Sequence, residues 1–385
     1  MRCVVVGAGA WGLPAAAALA VRGHDVVLLD RYGVANALSS SPGPTRLWRL
    51  SHPDAVRVRL AQRSVEAMER LGRRSHSPVF LRRGLLWRDD VSLPAVLDAL
   101  SAEGVAHEPV AAADVAHFFP GLRPDGRDAV WQRDAGPVLA AASMAAQAAL
   151  FEAAGGTLRV GVGVRSVEPT SSGLRIVCDA GPGLDADTAL DADSVVLAAG
   201  PGAAPLLAGL GVDLPLYPHL EQVVHFGSAA DRHAHDDLPC LFDGPTTTQP
   251  GMYTMPTPGV GYKVGLDRPL RDWALADVDR TPDTDLVTLT ADRVRRDLTA
   301  VFAEPLDAQV CCWTDAPDGR FVIDTLPGGI VFACGDSGEG FKFSALMGLV
   351  LADLAEGRTP DADVASFGLA RFAHGMPSAP HVLGR

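Results

Sequence analysis

Residues 1–32 read MRCVVVGAGAWGLPAAAALAVRGHDVVLLDRY, and the fold class follows from their order. A buried apolar strand is expected over residues 2–6, a helix over 10–21, and a second strand over 25–29 that ends on Asp30. That is one βαβ unit in about thirty residues. Gly7, Gly9 and Gly12 fall at G-x-G-x-x-G spacing between the first strand and the helix. Gly7 permits the tight turn, Gly9 lets the backbone approach a pyrophosphate at the helix N-terminus, and Gly12 allows close helix packing. Asp30 lies where an acid accepts from ribose hydroxyls, which argues against a 2′-phosphate and leaves both FAD and NAD open. The same stretch has features of a secretory leader, with Arg2 ahead of an apolar run of small residues. The fixed glycine spacing and the second strand favour the nucleotide turn, because a discarded leader needs neither.

At 385 residues the chain is long enough for two domains with cores of their own. A net charge of −13 repels phosphate backbones and anionic lipid, so nucleic acid and membranes are poor partners and a small molecule is the expected ligand. The most apolar stretch, residues 138–154, is interrupted by Ser143, Gln147 and Glu152. A cytoplasmic protein is expected, as a monomer or small homo-oligomer. The cysteines (Cys3, Cys178, Cys240, Cys311, Cys312, Cys334) include no C-x-x-C pair, so neither a disulfide framework nor a metal site is expected. Of 33 basic residues only Lys263 and Lys342 are lysine. A lysine that persists under such a bias is suspect, since arginine does not replace a compact ammonium of adjustable pKa.

Further helices are expected over residues 60–71, 94–102, 138–153, 285–302 and 343–356. Strands are expected over 79–81, 84–87, 157–167, 173–178, 194–198, 223–226, 251–255, 261–266 and 329–334. Residues 367–372 read as a tail. The acidic run LDADTALDAD (184–193) reads as a surface hairpin or loop. In VVLAAGPGA (195–203) a buried strand runs into small residues that would let backbone lie against a cofactor.

Five blocks carry a resemblance: GAGAWG at Gly7, SSSPGPTRLWR at Ser39, MYTMPTPGVGYK at Met252, VCCWTDAPDGRFVID at Val310 and GDSGEGFKFS at Gly335. In order and spacing the chain resembles the monomeric sarcosine oxidase family, with N-methyltryptophan oxidase, within the D-amino-acid-oxidase superfamily of flavoproteins. The resemblance implies an α/β fold, a Rossmann-like FAD-binding domain with an inserted α+β substrate domain. Residues 1–80, 138–213 and 318–385 would form the former, and 81–137 and 214–317 the latter. It implies oxidation of a small secondary amine or cyclic amino or imino acid to an imine by hydride transfer to flavin, with dioxygen then reduced to hydrogen peroxide. A dehydrogenase with another electron acceptor, or a non-catalytic flavoprotein subunit, are the alternatives.

Residue by residue, the resemblance points to Cys311 as a covalent thioether link to FAD, although Cys311 and Cys312 are not separable from the residues alone. Adjacent strand side chains point to opposite faces, so at most one of the two meets the flavin. Lys263 matches a lysine that activates dioxygen, where a fixed ammonium stabilises developing negative charge. Lys342 and Arg49 match residues that hold a substrate carboxylate. Arg46 matches an arginine against the flavin ring, and Tyr253 an aromatic pocket residue. The expected cofactor contacts are Gly7, Gly9, Gly12, Asp30, Arg31, Ser40, Ser41, Thr45, Arg46, Val164, Gly200, Cys311, Gly338, Gly340 and Lys342. Three family histidines are replaced, by Asp267, Glu339 and Pro42, which argues against sarcosine itself. A pocket shifted toward acidic is expected, with Glu339 or Asp267 contacting a substrate amine or hydroxyl or accepting its proton.

Overall fold

Strand Arg2–Val6 is buried at four of its five positions and lies inside a parallel sheet. Asp25–Asp30 pairs on one side of it, Cys3 opposite Val26, and Ser194–Leu197 on the other, Cys3 opposite Ser194. A strand flanked on both edges and covered on both faces must be apolar throughout, which is why VVV shows no alternation. In the computed structural model, which describes residues 1–179 and 188–377, this sheet has six strands. Their order is Val322–Leu326, Ile330–Cys334, Ser194–Leu197, Arg2–Val6, Asp25–Asp30 and Thr157–Val160, with only the first antiparallel to its neighbour. Helices Gly12–Val21, Ala140–Ala153 and Ser344–Ala355 pack together against it. The first and last are apolar almost all round because each is buried among neighbours.

Among the described residues a second, nine-stranded sheet is built from residues 85–132 and 217–315. Its long strands Tyr217–Gly227 and Glu304–Asp315 pair antiparallel, placing Glu221 opposite Cys311 and Leu220 opposite Cys312. Strands Met252–Thr257 and Gly261–Leu266 continue it, with Lys263 between Met255 and His225 in register. The chain passes between the sheets through strand Thr45–Trp48, paired with Gly136–Leu139. It then enters helix Ala55–Ser75, capped where the Asp54 carboxylate accepts from the Arg57 amide at 2.9 Å.

Several expected elements differ. Residues 138 and 139 belong to strand Gly136–Leu139, not to the helix, because pairing with Thr45–Trp48 is a tertiary choice that local propensity does not contain. The expected strand 157–167 divides at the turn 161–163. Thr157–Val160 stays in the parallel sheet, and Val164–Thr170 opens a three-stranded antiparallel sheet with Gly173–Cys178 and Ala189–Ala192. In the run expected as hairpin or loop, Ala189–Ala192 pairs antiparallel with the preceding strand, as a hairpin arm does, and residues 184–187 lie outside the described residues. Residues 369–372 form a 3₁₀ turn where a tail was expected. The helix near 285–302 is Thr284–Asp297. No helix among the described residues is long and apolar enough to cross a membrane, and none of their His, Cys, Asp and Glu side chains cluster as a metal site.

Candidate active site

The carboxyl ends of the parallel strands open into one cleft shared with the nine-stranded sheet. Gly7 stands at φ +102°, and a Cβ there would lie 2.3 Å from the Ala198 carbonyl oxygen. A Cβ at Gly12 would lie 1.9 Å from the Gly7 oxygen, so the helix can approach the turn only without a side chain. At Gly9, by contrast, a Cβ would meet only the Ser41 hydroxyl at 3.2 Å and would otherwise fill the cleft. Helix Gly12–Val21 has no side-chain cap and no acid in its first turn, which leaves its positive end for an anion. Asp30 accepts from the Ala8 amide on one oxygen and from the Tyr32 and Gly33 amides on the other, each at 2.7 Å. It pins the glycine turn while still lining the cleft. The Ser41 hydroxyl accepts from the Ala10 amide at 2.9 Å. The indole of Trp11, which sequence reasoning missed, donates to the Gly340 carbonyl at 2.9 Å and ties this turn to 338–342.

Gly7, Gly9, Asp30, Ser40, Ser41, Arg46, Gly200, Cys311, Gly338, Gly340 and Lys342 all line this cleft, as do Arg49, Tyr253, Lys263, Asp267 and Glu339. Gly12, Arg31, Thr45 and Val164 do not. Gly12 supports the turn from behind. Arg31 is exposed and reaches Asp179 at 3.4 Å, and Val164 opens the small antiparallel sheet. Thr45 is fully buried, its hydroxyl on that of Thr257 at 2.7 Å, and serves through its carbonyl instead.

That carbonyl accepts from Lys263 Nζ at 2.8 Å and from Arg46 at 2.9 Å. Among the described residues the Arg46 guanidinium hydrogen-bonds only carbonyls, those of Thr45, Ser40 and Pro42. Lys263 is 3% exposed, and burial followed by Arg46 brings its pKa down to about 7. Cys311 is half-buried in the same group. Burial raises its thiol pKa while Arg46 and Lys263 oppose the rise. Cys312 faces Ser40, Sγ to Oγ 3.4 Å, and packs in a core with Leu220 and Val310. Burial also pushes the Tyr253 phenol well above its usual range, so it stays protonated.

A second group lies at the turn 339–342. Glu339 Oε1 is 2.5 Å from Arg49 and 3.4 Å from Lys342 Nζ, and Oε2 is 3.3 Å from Arg57. His52 Nδ1 is 3.8 Å away and accepts from Arg49 at 3.2 Å. Burial, then Arg49, hold His52 well below its usual pKa, hence neutral. Burial alone would raise the Glu339 pKa, but Lys342, Arg49 and Arg57 hold it well below the carboxylate range. The expected acidic shift of the pocket therefore does not come from Glu339, whose charge is compensated on the spot. An ionised carboxylate gripped by cations is also a poor proton acceptor. Arg57 and His52 carried no sequence signal of this role. Arg49 lies over the Trp87 ring at 4.3 Å, and Trp87 stacks on Phe242, which lines the cleft.

Glycines without room for Cβ, an uncapped helix end and an acid lining the cleft fit the dinucleotide half of FAD. A buried lysine and a half-buried arginine beside Cys311 fit its ring half. Residues 2–354 match the family model described as DAO, FAD dependent oxidoreductase. The chain belongs to this family of FAD-dependent oxidoreductases. It is 26% identical to the human peroxisomal sarcosine oxidase, over 96% of this chain and 95% of that one. It is 28% identical to the monomeric sarcosine oxidase of Streptomyces avermitilis, over 91% and 92%. Among solved structures it superposes on NikD, an unusual amino acid oxidase essential for nikkomycin biosynthesis, with a TM-score of 0.81 and 26% identity over 95% and 96%.

Proposed function

We propose that this FAD-dependent oxidoreductase oxidises the CH–NH bond of a small secondary amine or cyclic amino or imino acid to an imine. Dioxygen is the final acceptor and hydrogen peroxide the product. The observation that carries the reading is Lys263, one of two lysines in the chain, buried next to the half-buried Arg46 and Cys311 in the cleft. The likeness to sarcosine oxidases supports it, as does that to the N-methyl-L-tryptophan oxidase of Citrobacter koseri, 24% identical over 96% of this chain.

When bound, FAD supplies a two-electron acceptor for the hydride leaving the substrate carbon. Gly7, Gly9, Asp30 and Ser41 would hold its dinucleotide part, and Cys311 would tether its ring. The Lys263 ammonium stabilises negative charge that develops on dioxygen, in a place where water does not screen it. The Tyr253 phenol, kept protonated, offers a hydrogen bond to the substrate face. We assign residues 1–80, 138–213 and 318–385 to the cofactor domain and the intervening segments to the substrate domain. The six free thiols suit a cytoplasmic protein.

An oxygen electrode coupled to a peroxide assay, run against a panel of secondary amines, tests the reading. Flavin reduction with oxygen uptake and matching peroxide is the expected result. Flavin reduction without oxygen uptake would make the protein a dehydrogenase.

A further inference from the structure

Two cations of the cleft wall, Arg49 and Lys342, stand where they could grip a carboxylate of the substrate, and a carboxylate is already between them. It belongs to the chain. Glu339 Oε1 lies 2.5 Å from Arg49 and 3.4 Å from Lys342, while Oε2 turns to Arg57 at 3.3 Å. Arg57 in turn pairs with Asp54 at 3.0 Å. The three cations thus face two carboxylates, with His52 in contact with Arg49. Arg49 donates through Nη1 to the Ser51 carbonyl and to His52 and through Nη2 to Glu339, so both terminal nitrogens are engaged without any ligand. A second carboxylate could reach this corner only by lying against the buried oxygens of Glu339 or by displacing them, and like charges juxtaposed in a dry site repel strongly.

Of the rest of the wall, Phe242, Met255 and Leu47 are apolar and Asp267 is a further acid, while the cations Arg46 and Lys263 lie beside Cys311 and are held by the Thr45 carbonyl. Glu339 also leaves no direct role for a substrate ammonium at this corner, since three cations surround it.

We propose that Glu339 is a resident counter-carboxylate that fills the anion place between Arg49 and Lys342, so that the substrate is a largely apolar amine with no carboxylate on the carbon beside its nitrogen. This rests on the amine-oxidising reading and narrows it. Glu339 is then a specificity determinant: it takes part in no bond change, and it denies amino acids the grip that Arg49 and Lys342 would otherwise offer.

Benzoate and benzamide, planar probes of one shape that differ in charge, test the proposal on the flavin-loaded protein by calorimetry. In the wild type, benzamide should bind more tightly than benzoate by about tenfold or more. In Glu339→Gln the order should reverse, benzoate gaining about tenfold or more over its wild-type affinity. Benzoate should also raise the melting temperature of that variant, whose cations have lost their counter-ion. Equal benzoate affinity in wild type and Glu339→Gln, or no benzoate binding to either, overturns the proposal. If Glu339→Gln does not accumulate as folded protein, the wild type alone decides by its turnover panel. N-methylbenzylamine oxidised at higher kcat/KM than N-methylphenylglycine supports the proposal, and the reverse order overturns it. Failure of every amine to reduce the flavin is a separate outcome. It removes the amine-oxidising reading, while the benzoate titration still reports whether the anion place is taken.

Discussion

Replacing Lys263 by methionine removes the ammonium and keeps the length of the side chain. Nζ lies 2.8 Å from the Thr45 carbonyl and the residue is 3% exposed, so bulk water does not screen the charge. With about 4 Å between the ammonium and the negative charge forming on dioxygen, and an effective dielectric constant of about 20, Coulomb's law gives about 4 kcal/mol. That is about three powers of ten in rate. Arg46 stays close enough to act on Lys263 and compensates in part, so the expected loss is about 10²–10³-fold. Stopped-flow mixing of reduced enzyme with oxygen measures it, and anaerobic mixing of oxidised enzyme with amine provides the control. Reduction by amine should change by less than about threefold. Reoxidation within about fivefold of wild type would refute the role. So would a loss confined to the reductive step.

The pH profile follows from the same residue. Burial and Arg46 bring the Lys263 pKa down to about 7, and the charged form exists below it. Reoxidation should slow as pH rises through that pKa, with the midpoint moved upward by an anion bound beside the ammonium; a profile that persists in Lys263→Met would exclude the lysine as its source. Acid precipitation of the wild type should leave yellow colour in the pellet. Cys311→Ser should release it to the supernatant and Cys312→Ser should not; the opposite pattern moves the link. Gly12→Ala sets a Cβ 1.9 Å from the Gly7 oxygen and should cost about 2 kcal/mol or more. Thermal melting with flavin content checks it, and a Gly12→Ala protein as yellow and as stable as wild type would contradict the packing described.

The first thirty residues were legible because their determinants are local: an apolar run, glycines at fixed spacing and an acid ending the next strand. Lys263 and Lys342 were legible for a different reason. A sequence that uses arginine almost everywhere draws attention to its two lysines, and both line the cleft. What the sequence hid depends on partners far along the chain. Strand Gly136–Leu139 exists because Thr45–Trp48 lies beside it. Glu339 reads as an acid added to a pocket until Arg49, 290 residues earlier, is seen holding it. Arg57 and His52 precede the helix expected over 60–71, and nothing in their spacing points to a glutamate in the last quarter of the chain. Thr45 shows a subtler limit, since its contribution is a carbonyl that receives both Lys263 and Arg46, and a backbone acceptor leaves no mark in residue type.

The central claim, that this chain oxidises an amine and passes the electrons to dioxygen, is tested most directly in one cuvette. Purified yellow protein is mixed anaerobically with each member of a panel of secondary amines and cyclic amino and imino acids, and air is then admitted. Bleaching of the visible band, followed by its return with one peroxide per turnover, is the predicted result. A band that no amine bleaches, or one that stays bleached in air, contradicts the account.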